Sequence, residues 1–201
     1  MSAILPIAYL PPISHFVAML ANTDIKWDIY ENYHKQYYYN RCVIYGPNGA
    51  QKLTIPIHKK FEKTPLKDIE ISYEMDWQKI HWRSFEAAYR RSPYFEYYEA
   101  ELSPLYLNYE PKGLVEWNMK MLEVVCKLMQ MELKPAFTPE YIKEYADAKD
   151  FRGLAVPEET VATKEPKYTQ VFEEKHGFIP DLSIIDLLFC EGPHAKELLL
   201  N

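Results

Sequence analysis

Residues 3–30, AILPIAYLPPISHFVAMLANTDIKWDIY, decide the fold. The run 3–10 is apolar and halts at Pro11-Pro12, as a buried strand halts at a turn. The spacing over 13–21 then predicts a helix, with proline tolerated at its start. Asn22-Thr23-Asp24 ends that helix, and 25–30 reads as a second strand. A strand, a helix and a strand in this order predict parallel neighbours joined by a right-handed crossover.

Outward from this unit, 41–45 and 52–57 are β-rich runs flanking Gly46-Pro47-Asn48-Gly49, a hairpin signal. Residues 68–73 alternate like a further strand. Asp76 stands where a helix N-cap is expected. From there Trp77, Ile80, Ser84, Phe85 and Ala88 fall on one helical face with His81 among them, and Arg83 falls on the opposite, polar side. Ser92-Pro93 breaks this helix, and 94–107 resumes it with Pro104 inside. Residues 114–131 carry the clearest amphipathic stripe, on which Asn118 is out of place. Residues 135–168 are proline-rich, charged and weakly patterned, which predicts an extended loop or short mixed elements. Residues 183–190 are apolar all round and predict a buried helix, stopped by Gly192-Pro193. The expected architecture is a single α/β domain over 1–201. Its mixed sheet has a parallel β-α-β start and an antiparallel hairpin, covered by helices.

The chain has 201 residues, enough for one domain. Its net charge of -6, with no block of like charges, argues against a general nucleic-acid binder. Cys42, Cys126 and Cys190 are widely spaced and odd in number, which fits no disulfide framework and no metal motif. The N-terminus lacks a basic region followed by a long apolar run, and no segment is apolar enough to span a bilayer. The expectation is a cytoplasmic protein without stable membrane insertion. There is no GxGxxG, P-loop, HExxH or GxSxG, so the well-marked dehydrogenase, kinase, metalloprotease and esterase classes lose support. No metal and no particular cofactor is indicated.

Four constellations are candidates for chemistry. In Lys35-Gln36-Tyr37-Tyr38-Tyr39-Asn40-Arg41, an extended chain would place both cations and two tyrosines on one face. That face could clasp a phosphate or carboxylate, or be a solvated edge strand with cationic gatekeepers. His81 could serve as general base, or be a core histidine hydrogen-bonded to a carbonyl or tyrosine. Asp186 sits in an apolar helix and needs a partner if buried. That partner could be His81, Arg41 or Lys35, or the residue could staple the helix to the sheet. Last, Tyr9-Leu10-Pro11-Pro12-Ile13-Ser14-His15 forms a strand-to-helix turn with free amides, but has no glycine to admit a phosphate. There His15 reads as a capping or packing residue.

Taken together these segments resemble the WbqC-like family. The resemblance runs from Tyr9-Leu10-Pro11 with His15-Phe16, through Lys35-Gln36 and Asn40-Arg41-Cys42, to Asn48-Gly49 before Leu53-Thr54-Ile55-Pro56. It continues in Asp76-Trp77, His81-Trp82-Arg83, Ser92-Pro93-Tyr94-Phe95 and Asn118, then Tyr168, Gln170-Val171-Phe172 and the 182–189 helix. The ordered match covers most of the chain. It implies bacterial surface polysaccharide (O-antigen or capsule) biosynthesis as context and leaves the reaction open; the leading expectation is transfer of an acyl or glycyl group to an activated sugar. On that reading His81 and Asp186 are catalytic, and Tyr9, Lys35, Asn40, Arg41, Tyr168 and Gln170 bind a small molecule such as a nucleotide-linked sugar. The alternatives are a non-catalytic binding or assembly protein of the same machinery and a nucleotide-binding protein. The chain departs from the family pattern at Pro6-Ile7-Ala8, where many members carry glutamine-proline. The stretch 141–161 is also short and charged, so one sheet strand is expected to be missing there.

Overall fold

A computed structural model describes residues 2–58, 63–157 and 166–200. Strand β1, Ser2–Pro6, is central in a three-stranded parallel sheet, between β2, Ile25–Asp28, and β5, Ala148–Asp150. A central parallel strand is covered on both faces, which is why β1 reads as a continuous apolar run rather than an alternating one. Helix α1, Ile13–Leu20, makes the crossover from β1 to β2. The outer edge of β2 is closed by the chain at Phe137, in parallel register with Trp27.

A second, antiparallel sheet is the hairpin of β3, Arg41–Gly46, and β4, Gly49–Thr54. Its two-residue turn ends on Gly49, whose φ of 100° is a conformation that suits glycine. Helices α2, Trp77–Tyr89, α3, Phe95–Asn108, and α4, Leu114–Leu128, build the helical layer. The short α5, Glu173–His176, leads to α6, Ile184–Glu191, and α7, Ala195–Leu200. One hydrophobic core runs from Ala3 to Leu199, with Trp117, Tyr39, Tyr45, Tyr89 and Phe189 all at 0% exposure. Burying such a side chain contributes about 1.5–3 kcal/mol, so the aromatic content is largely core. Ser183 caps α6, its Oγ accepting from the Ile185 amide and donating to the Leu10 carbonyl.

The structure corrects the reading in five places. Residues 68–73 form no strand; Ile71 and Glu70 make single bridges to Ile57 and Gly113. Asp76 makes no side-chain capping bond, and its carboxylate meets exposed Lys79 instead. The buried stripe of α2 is rotated, so that Ile80 is 51% exposed while Gln78 and Trp82 are buried. The segment 35–41 is not extended: it turns at Gln36 (φ 74°) and coils as a 3-10 turn over Tyr38–Asn40. Within 135–168, where short mixed elements are one of the two readings, lie β5 and a 3-10 turn, Arg152–Ala155, so the strand expected to be missing from 141–161 is present; 158–165 lie outside the described residues. Among the described residues no helix is long and apolar enough to cross a membrane.

Candidate functional site

Because β1, β2 and β5 are parallel, their carboxyl ends lie on one side of the sheet, where open α/β sheets bind ligands. Strand β2 ends on Asp28, which is 0% exposed. Its Oδ1 accepts from the Tyr30 and Glu31 amides at 2.9 and 3.2 Å, and its Oδ2 accepts from Arg152 at 3.2 Å. Arg152 lies two residues beyond the end of β5. Its Nε donates to Asp150 Oδ1 at 3.0 Å and its Nη2 to Asp150 Oδ2 at 2.6 Å. The carbonyls of Ile142 and Lys143 take further N–H groups at 2.9 and 3.0 Å. The rings of Tyr145 and Tyr141 flank the guanidinium at 5.0 and 5.8 Å. A guanidinium has five N–H donors, and these acceptors occupy them. Burial pushes the Asp150 carboxyl up, but the Arg152 hydrogen bonds outweigh it and hold it below its ordinary value.

Above this network opens a cleft of about 640 Å³, lined by Glu31, Tyr37, Tyr141, Asp150 and Arg152 among others. Glu31 follows β2 and is half-buried. Its Oε2 accepts from the Tyr39 hydroxyl at 2.8 Å. Burial raises its pKa; the Tyr39 hydrogen bond and Arg152 oppose that, and Asp28 reinforces it. Tyr37 packs at a tilt against Tyr39 at 5.4 Å and His34 at 5.1 Å. The 35–41 segment therefore reaches this cleft through Tyr37. Lys35 is exposed, and Arg41 is half-buried with its Nε unpartnered among the described residues. Asn40 is a core residue that accepts from Tyr33 and donates to the Ile55 carbonyl at 2.7 Å.

His81 lies elsewhere. It is 3% exposed and packed edge-on to Trp77, with Nδ1 2.9 Å from the Tyr9 hydroxyl. Tyr9 in turn meets the Tyr106 hydroxyl at 2.7 Å. Burial lowers the His81 pKa to about 4, against a backbone hydrogen bond to Thr54 that favours the charged ring. The imidazole is therefore neutral near pH 7. Asp186, 0% exposed, forms a third cluster: Tyr89 donates to Oδ1 at 2.7 Å and Tyr168 to Oδ2 at 2.6 Å. Gln170 steadies Tyr168 at 3.2 Å and brackets Ile179 with two 2.8 Å bonds. Burial pushes the Asp186 carboxyl up to about 6, while the tyrosine and Gln170 hydrogen bonds pull it down. No hydrogen bond joins His81 to Asp186 among the described residues, and Asp186 takes neither Arg41 nor Lys35 as partner. Its bonds run from α6 to α2 and to the 168–170 segment. Gln170 lines a separate cleft of about 810 Å³ with Arg91 and Glu173, and Tyr168 lies buried behind it. Asn118 donates to the Tyr39 carbonyl at 2.7 Å. His15 is buried as a packing residue, with neither ring nitrogen bonded among the described residues.

Sequence reasoning therefore missed the charged groups at the sheet's carboxyl edge: Asp28, Glu31, Asp150 and Arg152. Asp28 had a signal, a carboxylate at the end of a buried strand. Arg152 had none, because a three-residue strand carries no legible periodicity. No group of three or more His, Cys, Asp or Glu is placed to hold a metal among the described residues.

The fold and this cleft define a mixed α/β domain with a polar pocket at the carboxyl edge of its parallel sheet. The chain belongs to the WbqC-like protein family, whose model matches residues 8–143 and 136–198. It is 27% identical over 232 residues to the uncharacterized protein Rv1507c of Mycobacterium tuberculosis (strain ATCC 25618 / H37Rv), an alignment covering 98% of this chain and 96% of that protein. No solved structure matches.

Proposed function

We propose that this chain is an enzyme of bacterial surface polysaccharide biosynthesis that moves an acyl or glycyl group onto an activated sugar, with the sugar seated at the carboxyl edge of the parallel sheet. One observation carries the reading. Two of the sheet's strands end in Asp28 and Asp150, which Arg152 locks together beneath an open cleft with a half-buried carboxylate and tyrosine faces. Preorganised polar groups in a concave site are what group transfer needs. The family resemblance supplies the polysaccharide context. In this reading His81 and Asp186 are positioning residues. His81 sets Tyr9 and Tyr106 beneath the 38–40 turn, where the Tyr9 amide donates to the Tyr38 carbonyl at 2.9 Å. Asp186 fixes Tyr168 and Gln170.

The test is a reconstituted transfer assay pairing nucleotide-linked sugars with activated acyl and aminoacyl donors. Replacing Tyr37 by alanine should lower kcat/KM at least tenfold. His81→Gln, which acts only through Tyr9, should lower kcat/KM by less than the Tyr37 variant does. The absence of transfer with every donor class, or wild-type kinetics in the Tyr37 variant, would overturn the assignment. The scattering of Lys35, Arg41, His81 and Asp186 favours a second reading, a non-catalytic binding or assembly protein. An apolar groove of about 550 Å³ beside α4, lined by Met119, Leu133 and Phe137, supports it. That reading gives binding without turnover.

A further inference from the structure

We propose that Glu31 is the carboxylate by which the carboxyl-edge cleft selects a sugar bearing a free amino group. The inference rests on the proposed function only in placing the sugar in this cleft.

The cleft looks at first like an anion site, because Arg152 lines it. Its hydrogen bonds say otherwise. Two carbonyls and two carboxylates occupy the guanidinium donors, and two tyrosine rings flank it. A phosphate would have to displace bonds already made at 2.6–3.2 Å. The other lining cation, Lys143, has a side chain 84% exposed and lies 3.9 Å from Glu144. Neither cation is poised to receive an anion.

The group left over is negative. One Glu31 oxygen takes the Tyr39 hydroxyl, and no described residue is bonded to the other, Oε1. Asp28 nearby adds charge of the same sign. Its own bonds and those of Asp150 engage Arg152, which acts on Glu31 only through space, so three carboxylates stand against one guanidinium. The cleft thus has a local negative potential in a partly desolvated setting, where a cation gains most. Its walls include Tyr37 and the 51% exposed Tyr141, whose ring faces attract an ammonium or the C–H face of a pyranose. At about 640 Å³ the space suits a small organic ligand rather than a bare ion. An ammonium on Oε1 adds the attraction of opposite charges to its hydrogen bond, which a hydroxyl in the same place lacks. That difference is the basis of selection.

The test is a binding titration by NMR with three probes: D-glucosamine, D-glucose and N-acetyl-D-glucosamine, in which the amine is blocked. Glucosamine should bind at least about tenfold more tightly than the other two, and Glu31→Gln should erase the preference. If that variant misfolds, Glu31→Asp and the wild-type pH profile serve instead. Glucosamine affinity should fall as pH is lowered through the raised Glu31 pKa, because protonation removes the charge. The groups facing Glu31 are Tyr39 from the 3-10 turn, Asp28 from β2, Arg152 beyond β5 and His34 from the preceding loop. His34→Asn should keep the same profile, because the dependence belongs to Glu31. Equal affinity for the three sugars, an unchanged preference in Glu31→Gln, or no binding of any probe overturns the proposal. Amine-selective binding with no transfer activity would leave this inference standing and remove the proposed function alone.

Discussion

Asp28 and Asp186 are both 0% exposed, and the molecule treats them in opposite ways. Asp28 is met by a cation, two backbone amides and, at 3.4 Å, the Thr138 hydroxyl. Asp186 is met by the neutral hydroxyls of Tyr89 and Tyr168. The first arrangement holds charge at the sheet edge and frames a cleft. The second ties α6 to α2 and to the 168–170 segment inside the core. A buried carboxylate is thus no signature of catalysis by itself; its partners decide whether it faces chemistry or holds the fold together.

The comparison breaks most visibly at Arg152. Replacing it with methionine strips the buried Asp28 of its cation, and should cost about 3–5 kcal/mol in denaturant unfolding. A loss under 1 kcal/mol would show that the charged network is not what fixes the cleft. A smaller effect, sharper in pH, comes from His81. Its folded pKa lies below the unfolded value, so its contribution is unchanged above about pH 6.5 and destabilises the fold progressively as pH falls toward about 4. The wild type should therefore lose stability relative to His81→Gln by up to about 1.4 kcal/mol per pH unit across that window. Parallel curves for the two proteins would contradict the neutral buried ring.

The smallest effect expected is that of Tyr168→Phe, about 1 kcal/mol at neutral pH. Asp186 has a raised folded pKa, so above about pH 6 it is buried as a charged carboxylate that uses both hydroxyls. The Phe variant's deficit should shrink as pH falls through about 6 and the carboxyl takes up a proton. A deficit independent of pH would separate Tyr168 from Asp186.

Much of the framework was legible in the chain. The β-α-β start, the hairpin at Gly49 and helices α2, α4 and α6 all announce themselves by local periodicity and turn chemistry. The rotation of α2 was not legible, because Ile80 and Trp82 are both apolar and only packing decides which is covered. The 35–41 segment fooled the alternation rule, since Tyr39 and Asn40 are drawn inward by Glu31 and the Ile55 carbonyl. Of the candidate site, Tyr37 was reached through its segment. Its partners across the cleft were hidden in a stretch without pattern.

The amino-acid order alone determined which segments coil, extend and turn, because those choices depend on neighbours a few residues away. It also placed the chain in its family, since the matching motifs follow one another along the polymer. The tertiary structure alone decided that Asp28 meets Arg152, 124 positions distant, and that His81 and Asp186 stay apart. Such pairings follow from how sheets and helices pack in three dimensions, and a linear pattern carries no record of distances across that packing.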